Sequence, residues 1–366
     1  MKYLEEFRNP LVAKALAEHI SKKAREIPEI KLMEVCGSHT MAIARYGIRH
    51  LLPNNIKLIS GPGCPVCVTP NSYLDKAIAL SRSPDVIMTT FGDMMRVPGS
   101  TSSLEKERST GSDIRIVYST LDAVTTAKKE RDKQVIFLGV GFETTAPTIA
   151  ASILSAKELN LRNYSVLCSH KTMPKPMESI AKGNKVDLQG FICPAHVSTI
   201  IGSKPYEILA KKYAKACVIA GFEPLDVLEA VDMLIDQIHT NRPDVQIQYS
   251  RVTTVEGNPA ALKIMEEVFE ACDTEWRGLG SIPESGLKIR EKYKKYDADI
   301  NFEVEVEPTQ ESSGCICGDV MQGIAVPRDC PLFGSVCTPE DPVGACMVSS
   351  EGSCAAAFKY GKALQQ

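Results

Sequence analysis

Short runs of β-branched and other apolar residues recur along the first two thirds of the chain, and each run is followed by a loop and a helix-like segment. Because apolar runs of this length bounded by turn residues are typical of buried strands, the pattern predicts eight strands. The predicted strands lie at 31–35, 56–60, 86–90, 114–118, 134–140, 164–168, 190–193 and 216–220. The predicted helices between them include 71–82, 120–130, 146–158 and 205–215. Strands that alternate with helices indicate βαβ units and a largely parallel sheet.

Eight strands over this span fit two similar α/β domains better than one large sheet. We place the division near the charged segment 128–133 (KKERDK), which gives domains at 31–130 and 131–240. Residues 1–30 are charged throughout and predict an amphipathic N-terminal helix. A long helix at about 224–239 is predicted to lead away from the second domain.

The last third of the chain has a different character. Residues 241–310 mix strand-like (VQIQYSRVTTV) and helix-like (PAALKIMEEVFEACD) pieces, and residues 311–354 contain six cysteines among many Gly and Pro. Since the cysteine-rich part shows little periodic structure, we expect residues 241–366 to form a third domain. The predicted fold class is therefore α/β, with two parallel-sheet domains and a third, cysteine-rich domain.

Composition and charge narrow the classes of function. Of the 366 residues, 44% are apolar and 24% are charged, and the net charge of −3 gives no general attraction to nucleic acid or to anionic membranes. The N-terminal region lacks the apolar core of a signal peptide, and the longest apolar runs are far shorter than a membrane span. We therefore expect a cytoplasmic protein. Thirteen cysteines in a reducing compartment indicate metal or thiol chemistry rather than structural disulfides.

Most of the reactive side chains outside the last third follow the carboxyl end of a predicted strand. The segment Cys36-Gly-Ser-His39 follows the first strand, and Cys64-Pro-Val-Cys67 follows the second. Glu143, His170 and His196 take equivalent places later in the chain. Because open parallel sheets build their sites at this edge, we expect the loops of the two domains to face one another across a cleft.

The residues alone leave three interpretations of Cys64 and Cys67 open: a redox dithiol, a pair of metal ligands, or a rigid turn with two buried thiols. The predicted helix over 71–82 is a candidate source of the helix N-terminus that would stabilise a thiolate. Cys36 stands alone, and His39 is a candidate base or second ligand beside it. The alternative for this segment is a buried thiol next to helix-capping hydroxyls.

Other polar residues and thiols are weaker candidates. His170 and His196, taken singly, are more often hydrogen-bonded interior histidines than ligands. Glu143 is the stronger candidate, because a carboxylate at a strand end is polar where burial is expected. The remaining thiols of the first three quarters of the chain are expected to belong to the core, namely Cys168, Cys193, Cys217 and Cys272.

The six cysteines of the last third stand at 315, 317, 330, 337, 346 and 354. Thiolates bind zinc and iron–sulfur centres, and such a centre can hold together a segment with little core of its own. The spacing lacks the paired CxxC of zinc ribbons and no histidine is near, so a four-thiolate iron–sulfur cluster is favoured over zinc. Spacing does not decide which four thiols bind, and a set of buried free thiols is the remaining alternative.

Together these motifs resemble the HypD family of hydrogenase maturation (formation) proteins. The resemblance is carried by EVCGSHTMAIARYGI at 34–48, GPGCPVCVTP at 61–70, TTFGDMMRVPGS at 89–100, GFETTAPT at 141–148, CPAHVSTIIG at 193–202, GFEPLD at 221–226 and the segment from Cys315 to Cys354. These segments span nearly the whole chain in the family's order, and no motif cysteine departs from the family pattern.

The resemblance implies a role in assembly. With a small HypC-like partner, a family member is the scaffold on which the Fe(CN)2CO unit of [NiFe]-hydrogenase is assembled. Cyanide is delivered by a HypE-like protein, and the finished unit passes to the hydrogenase large-subunit precursor. The implied fold has two similar α/β domains and a third domain that carries a [4Fe–4S] cluster.

The resemblance also implies residue roles. It implies that Cys36 holds the iron of Fe(CN)2CO and that Cys64 and Cys67 are a redox dithiol. The family's cluster spacing falls on Cys315, Cys330, Cys337 and Cys354. Cys317 and Cys346 are then not cluster ligands, and His39, Glu143 and His196 stay candidates without an assigned contact to iron.

We hypothesise that electrons pass from the cluster through the dithiol to iron at Cys36, provided that the cleft brings these groups together. The protein would then be a redox-active assembly scaffold without the bulk turnover of an enzyme. One alternative is an iron–sulfur thiol–disulfide oxidoreductase that acts on a protein substrate and has no need of Cys36. Another is a binding module in which the cluster only holds the cysteine-rich segment together.

Overall fold

Strands and the helices that connect them make up most of the chain in the computed structural model, which describes residues 5–183 and 185–361. The strands are β1 (Ile30–Glu34), β2 (Ile56–Ser60), β3 (Val86–Thr90), β4 (Ile114–Ile116), β5 (Gln134–Gly141), β6 (Tyr164–Lys171), β7 (Gly190–Pro194), β8 (Ala216–Ala220), β9 (Val245–Ile247), β10 (Phe269–Trp276) and β11 (Gly280–Ile289).

The helices in the same residues range from single turns to four turns. They are α1 (Pro10–Lys23), α2 (Gly37–Arg45), α3 (Ile48–Leu51), α4 (Pro65–Val68), α5 (Asn71–Ser81), α6 (Leu104–Ser109), α7 (Thr120–Lys129), α8 (Ala146–Glu158), α9 (Pro174–Gly183), α10 (Ala195–Ile201), α11 (Glu207–Tyr213), α12 (Pro224–His239), α13 (Pro259–Val268), α14 (Ala298–Asn301), α15 (Cys317–Met321), α16 (Ala345–Val348) and α17 (Ser353–Tyr360). Short 3-10 helices occur at Glu6–Arg8, Ala24–Glu26, Gly92–Met94, Lys204–Tyr206, Glu291–Tyr296 and Pro327–Asp329.

The described strands form two sheets. The first sheet has the order β2-β1-β7-β8-β9, and all of its pairs are parallel. The second sheet has the order β10-β11-β6-β5-β3-β4. Its strands β3 to β6 are parallel, and β10 and β11 form an antiparallel hairpin that extends it beside β6. The predicted α/β class with largely parallel sheets is confirmed.

Each sheet takes strands from distant parts of the chain. β1 and β2 pair with β7 and β8, whereas β3 and β4 pair with β5 and β6. The predicted division near 128–133 therefore does not separate the two sheets, because strands on both sides of it belong to the second sheet. The elements next to the division, α7 and β5, also pack together. Strand β9 extends the first sheet and the β10–β11 hairpin extends the second, so residues 241–310 contribute to both.

Many predicted elements agree closely with the structure. The strands at 56–60, 86–90 and 216–220 match β2, β3 and β8, and the helices at 146–158 and 224–239 match α8 and α12. The predicted N-terminal helix is α1, which begins at Pro10 because the Asn9 side chain caps it. Residues 1–4 and 362–366, which belong to the predicted N-terminal helix and third domain, lie outside the described residues.

Three predicted elements after residue 200 differ from the structure. The helix-like piece 259–273 is helical only to Val268, and from Phe269 the chain alternates between buried and exposed positions as a strand does. The strand-like piece 245–255 is a strand only over β9. The helix predicted at 205–215 divides into a 3-10 turn at Lys204–Tyr206 and α11.

The cysteine-rich tail (residues 311–361) packs against both sheets. Its helix α16 contacts α4, and α17 contacts α2. One continuous apolar core joins the loop of Cys64 and Cys67 to Trp276 in the hairpin and to Cys346 in the tail. The tail is thus held against the loops that follow β1 and β2. In residues 5–183 and 185–361, no helix is both long and apolar enough to cross a lipid bilayer.

Candidate functional site

Cys36 lies at the carboxyl end of β1 and is the N-cap residue of α2. Its residue is 6% exposed, and burial raises the pKa of its thiol to about 12. The Cys36 N–H donates to Glu34 Oε2 at 3.3 Å, and the Thr40 hydroxyl donates to Glu34 Oε1 at 2.6 Å. Burial raises the pKa of Glu34 to about 7. Glu34 therefore fixes the loop that presents Cys36.

Glu34 was not among the residues predicted from the sequence, although a signal was present. A carboxylate inside a predicted buried strand is expensive unless it has hydrogen-bond partners. Glu34 is fully buried in β1, directly before the loop of Cys36. A carboxylate at the buried end of a strand therefore indicates that it accepts hydrogen bonds from the following loop, as Glu34 does here.

The loop after β2 lies directly against the loop of Cys36. The Gly37 N–H donates to the Gly63 carbonyl at 2.9 Å. A Cβ atom at position 63 would lie 2.3 Å from the Cys36 nitrogen, so a side chain there would collide with the backbone of Cys36. Only glycine allows this close approach of the two loops.

Cys64 and Cys67 form a disulfide, with their Cα atoms 5.3 Å apart. Both residues are buried, and Cys64 is the N-cap of the single-turn helix α4. The helix predicted over 71–82 begins at Asn71 as α5, after this turn, so the two cysteines do not lie at its first residues. The structure places the closed disulfide beside Cys36 and beneath the tail.

The disulfide also contacts the tail. Cys67 Sγ lies 3.9 Å from the carbonyl oxygen of Ala345, the first residue of α16. The next residue, Cys346, is one of the six tail thiols, and a Cβ at Gly344 would lie 2.9 Å from Cys315 Sγ. A single short helix therefore separates the disulfide from the tail thiols.

The tail thiols converge on one small pocket, which we call the cysteine pocket. It is lined by all six tail cysteines and otherwise by Ile316, Val320, Leu332, Phe333, Gly344 and Met347. Within it Cys315 contacts Cys317, and this contact together with burial raises the pKa of the Cys315 thiol. Cys346 contacts both Cys317 and Cys354. Several thiols around an apolar pocket fit a thiolate-bound iron–sulfur cluster.

The geometry of the cysteine pocket does not select four of its six thiols. Cys330 Sγ lies 3.8 Å from the Gly314 carbonyl, and Cys337 Sγ accepts the Val343 N–H at 3.3 Å. In the part of the chain that the structure describes, no three His, Cys, Asp or Glu side chains are arranged to hold a single metal ion. The six thiols line one shared small pocket, and an iron–sulfur cluster within it stays a prediction.

The rings of His39 and His196 both pack against Phe222. The ring centroid of Phe222 is 5.1 Å from that of His39 and 4.1 Å from that of His196. His196 is exposed, so the expectation of an interior histidine is wrong there. His170 is 1% exposed with Nδ1 3.1 Å from Cys168 Sγ, so the same expectation is confirmed for it.

His39 is fully buried and neutral. Its Nε2 lies 3.0 Å from the carbonyl oxygens of Ala220 and Gly221, so Nε2 carries the proton because carbonyl oxygens only accept. Burial lowers its pKa to about 4. Nδ1 has no hydrogen-bond partner among the described residues, which leaves its lone pair available to a base or ligand role.

Glu351 is a second residue that sequence reasoning missed. It accepts a hydrogen bond of 2.7 Å from the Ser38 hydroxyl, and a Cβ at Gly37 would lie 2.3 Å from the Glu351 Cβ. The tail therefore reaches the loop of Cys36 across a sequence separation of 313 residues. No local pattern in the sequence could have joined these two positions.

Glu143 is buried in a structural role. Its two carboxylate oxygens accept the Met173 N–H at 3.0 and 3.3 Å, which ties the end of β5 to the loop after β6. It is 3% exposed, and burial raises its pKa to about 7. The expected burial of this carboxylate is confirmed, whereas its place among the candidate site residues is not tested.

The four thiols expected in the core divide into two pairs. Cys193 and Cys217 are fully buried in neighbouring strands β7 and β8, which confirms the expectation. Cys168 and Cys272 are only partly buried and line a cleft beside β6 and β10. Cys168 also packs against the core, so the expectation holds there in part and is wrong for Cys272. Strand residues near a sheet edge face clefts as well as the core, and the apolar pattern does not distinguish the two.

Comparison with known proteins identifies the family. Residues 11–361 match the HypD family model, which is described as the hydrogenase formation hypA family. The chain belongs to the HypD family. The match covers the loops of Cys36 and of the disulfide as well as the tail.

Several proteins of known name are similar along nearly their full length. The chain is 46% identical to hydrogenase maturation factor HypD2 of Bradyrhizobium diazoefficiens, with 99% of this chain and 97% of the relative covered. It is 45% identical to hydrogenase maturation factor HypD of Cupriavidus necator, with 99% and 98% covered. It is 47% identical to hydrogenase expression/formation protein HupD of Azotobacter chroococcum, with 100% and 98% covered.

Proposed function

We propose that the chain is a hydrogenase maturation factor that holds iron at Cys36 while cyanide and CO are attached to form the Fe(CN)2CO unit. One observation carries the proposal: the loop of Cys36, the loop of the Cys64–Cys67 disulfide and the cysteine pocket follow one another through direct contacts. Gly63 joins the first two groups, and α16 joins the disulfide to the pocket. The family membership supports the identity of the cargo.

Cys36 has the properties of an iron-holding thiol in this proposal. Low-spin iron(II) that carries cyanide and CO suits a soft thiolate ligand. Because burial raises the pKa of the Cys36 thiol, iron binding has to displace its proton. A small HypC-like partner supplies a second iron ligand, a HypE-like protein delivers cyanide, and the large-subunit precursor receives the finished unit.

The cysteine pocket is the proposed site of a [4Fe–4S] cluster, with Cys315, Cys330, Cys337 and Cys354 as the ligands that the family spacing implies. When bound, the cluster supplies single electrons. Opening of the Cys64–Cys67 disulfide takes two electrons and two protons and yields two thiols, so an external one-electron reductant has to act twice. The chain contributes a dry and short path, because Cys67 contacts α16 directly.

Infrared spectroscopy of the complex with the HypC-like partner, purified without oxygen, tests the proposal. Cyanide and carbonyl stretches are expected in the unmodified complex and absent in the Cys36→Ala complex. Cys272→Ala is the matched control, because it removes a partly buried thiol that lines the cleft beside β6 and β10 and not the cysteine pocket. Stretches of normal intensity in the Cys36→Ala complex would overturn the assignment of iron to Cys36.

A second candidate function is that of an iron–sulfur thiol–disulfide oxidoreductase, and the contact between Cys67 and the tail favours it as well. Such a protein would reduce a disulfide of a protein substrate through Cys64 and Cys67 and would need neither Cys36 nor a partner. Disulfide reduction by the Cys36→Ala variant at the unmodified rate, together with absence of the infrared stretches from the unmodified complex, would favour this function over the scaffold.

A further inference from the structure

Arg277 is a buried arginine at the tip of the β10–β11 hairpin. The residue is 5% exposed. Its Nε donates to the Thr69 carbonyl at 2.9 Å, one terminal nitrogen donates to Asn71 Oδ1, and its backbone N–H donates to the Val68 carbonyl at 2.9 Å. Arg277 thus donates hydrogen bonds to the segment that follows Cys67.

The same hairpin tip lies against the tail. A Cβ at Gly278 would lie 2.3 Å from the Gly318 Cα, and the Gln322 side-chain amide donates to the Gly278 carbonyl at 2.7 Å. Gly318 directly follows Cys317 of the cysteine pocket. Arg277 directly precedes Gly278, so it lies one residue from the contact between the hairpin tip and the backbone beside Cys317.

The charge of Arg277 is not balanced by an acidic side chain. Within residues 5–183 and 185–361, no Asp or Glu oxygen lies at ion-pair distance from its guanidinium, and its side-chain acceptors there are a carbonyl and an amide oxygen. Arginine is almost never fully buried without a counter-charge, because desolvation of an unpaired cation is costly. The thiols of the cysteine pocket are groups able to carry negative charge, and Cys317 of that pocket directly precedes Gly318, which touches the hairpin tip.

We propose that Arg277 is a positioning residue whose fixed charge balances the anionic iron–sulfur cluster of the cysteine pocket and raises its reduction potential. The inference rests on the proposed function, because it needs a cluster in this pocket. Reduction adds one negative charge to the cluster, and a buried cation nearby stabilises the more negative state. The hydrogen bonds to Thr69 and Asn71 also hold the disulfide loop at a fixed position relative to the cluster.

A potentiometric titration of the full chain with its cluster tests the inference, with the reduced cluster followed by electron paramagnetic resonance. In Arg277→Gln we expect the equilibrium between reduced and oxidised cluster to shift at least tenfold toward the oxidised form. For a one-electron couple, a tenfold shift is a fall of about 59 mV in the reduction potential of the cluster. Arg277→Lys keeps a positive charge and is expected to lie closer to the unmodified protein than Arg277→Gln does. Arg290→Gln is the matched control directly after the same hairpin, since Arg290 is partly exposed and paired with Glu270.

Asn71→Asp provides the same test without removal of the arginine. It would place a carboxylate against the Arg277 guanidinium and neutralise its charge, so we expect a fall of the same sign even if Arg277→Gln does not fold. An unchanged potential in a folded, fully loaded Arg277→Gln or Asn71→Asp variant would overturn the inference and leave the proposed function intact. Failure of the unmodified chain to take up iron and sulfide would instead overturn the proposed cluster and the inference with it.

Discussion

The backbone of Gly63 lies against the backbone of Cys36, so closely that a Cβ at position 63 would be 2.3 Å from the Cys36 nitrogen. The two residues belong to loops that follow neighbouring parallel strands, β1 and β2. This contact brings the disulfide beside the lone thiol. The close contact explains why a glycine precedes Cys64. A special turn conformation does not explain it, because the backbone of Gly63 is not in the left-handed region.

Gly63→Ala is therefore expected to separate the two loops. The added methyl group would collide with the backbone of Val35 and Cys36, which cannot move aside as a flexible side chain can. The loops therefore have to move apart, which lowers the free energy of unfolding by roughly 1–3 kcal/mol. We expect weaker cyanide and carbonyl stretches in the partner complex while the iron content of the tail is retained. Gly183→Ala is the control, because a Cβ there meets nothing within 4 Å. Stretches of unmodified intensity in Gly63→Ala would show that the close contact is dispensable.

Removal of the disulfide is expected to block assembly without loss of the fold. In Cys64→Ala, α4 loses its disulfide and one weak cap but keeps its apolar contacts in the core. We expect a normal thermal transition and a normal cluster content, together with absence of the cyanide and carbonyl stretches. Normal assembly in this variant would make the redox role of Cys64 and Cys67 wrong, whatever the state of the cluster.

The strands and the loops of the site could be predicted because each depends on local pattern. Apolar periodicity located β2, β3 and β8, and the rule that parallel sheets carry their sites at strand ends pointed to Cys36 and the disulfide. Burial of Glu143 followed from its place at a strand end. In each of these cases the signal lies within a few residues of the feature.

The remaining features depend on contacts between distant residues. Sheet order was not predictable, because the pattern of β1 does not specify whether it pairs with β3 or with β7. The contact of Glu351 with Ser38 joins residues at opposite ends of the chain, and its sequence surroundings are a loop without periodicity. The sequence pattern around Arg277 predicts no buried arginine, because its side-chain partners Thr69 and Asn71 lie more than two hundred positions away.

The choice of cluster ligands can be tested by single substitutions in the cysteine pocket. From the family spacing, Cys330→Ala is expected to lose most iron and acid-labile sulfide, whereas Cys317→Ala is expected to keep both. In the structure Cys317 lies against Cys315 and Cys346, whereas Cys330 is only partly buried. Burial alone would therefore favour Cys317 as a ligand, and the family spacing predicts the opposite. Full iron content in Cys330→Ala together with loss in Cys317→Ala would reverse the assignment.

Glu143 should make the protein less stable as the pH rises. Its pKa is about 7 in the folded protein because of burial, against a value of 4.5 when it is solvated. Since the folded-state pKa is the higher one, its contribution to stability is fully present below about pH 4.5 and is lost as the pH rises through about 7. This difference in pKa corresponds to a total change of about 3 kcal/mol in the free energy of unfolding.

Glu143→Gln removes this titration but keeps an oxygen that accepts the Met173 N–H. Between pH 5 and pH 8 we expect the unmodified protein to lose about 2 kcal/mol more unfolding free energy than the variant, as measured by urea unfolding. Other buried groups that titrate in this range, such as Glu34 and His39, are common to both proteins and cancel in the comparison. Glu158→Gln, at an exposed helix position, is the control. Equal pH dependence in the unmodified protein and Glu143→Gln would mean that this carboxylate is not held in the dry environment between β5 and the loop after β6.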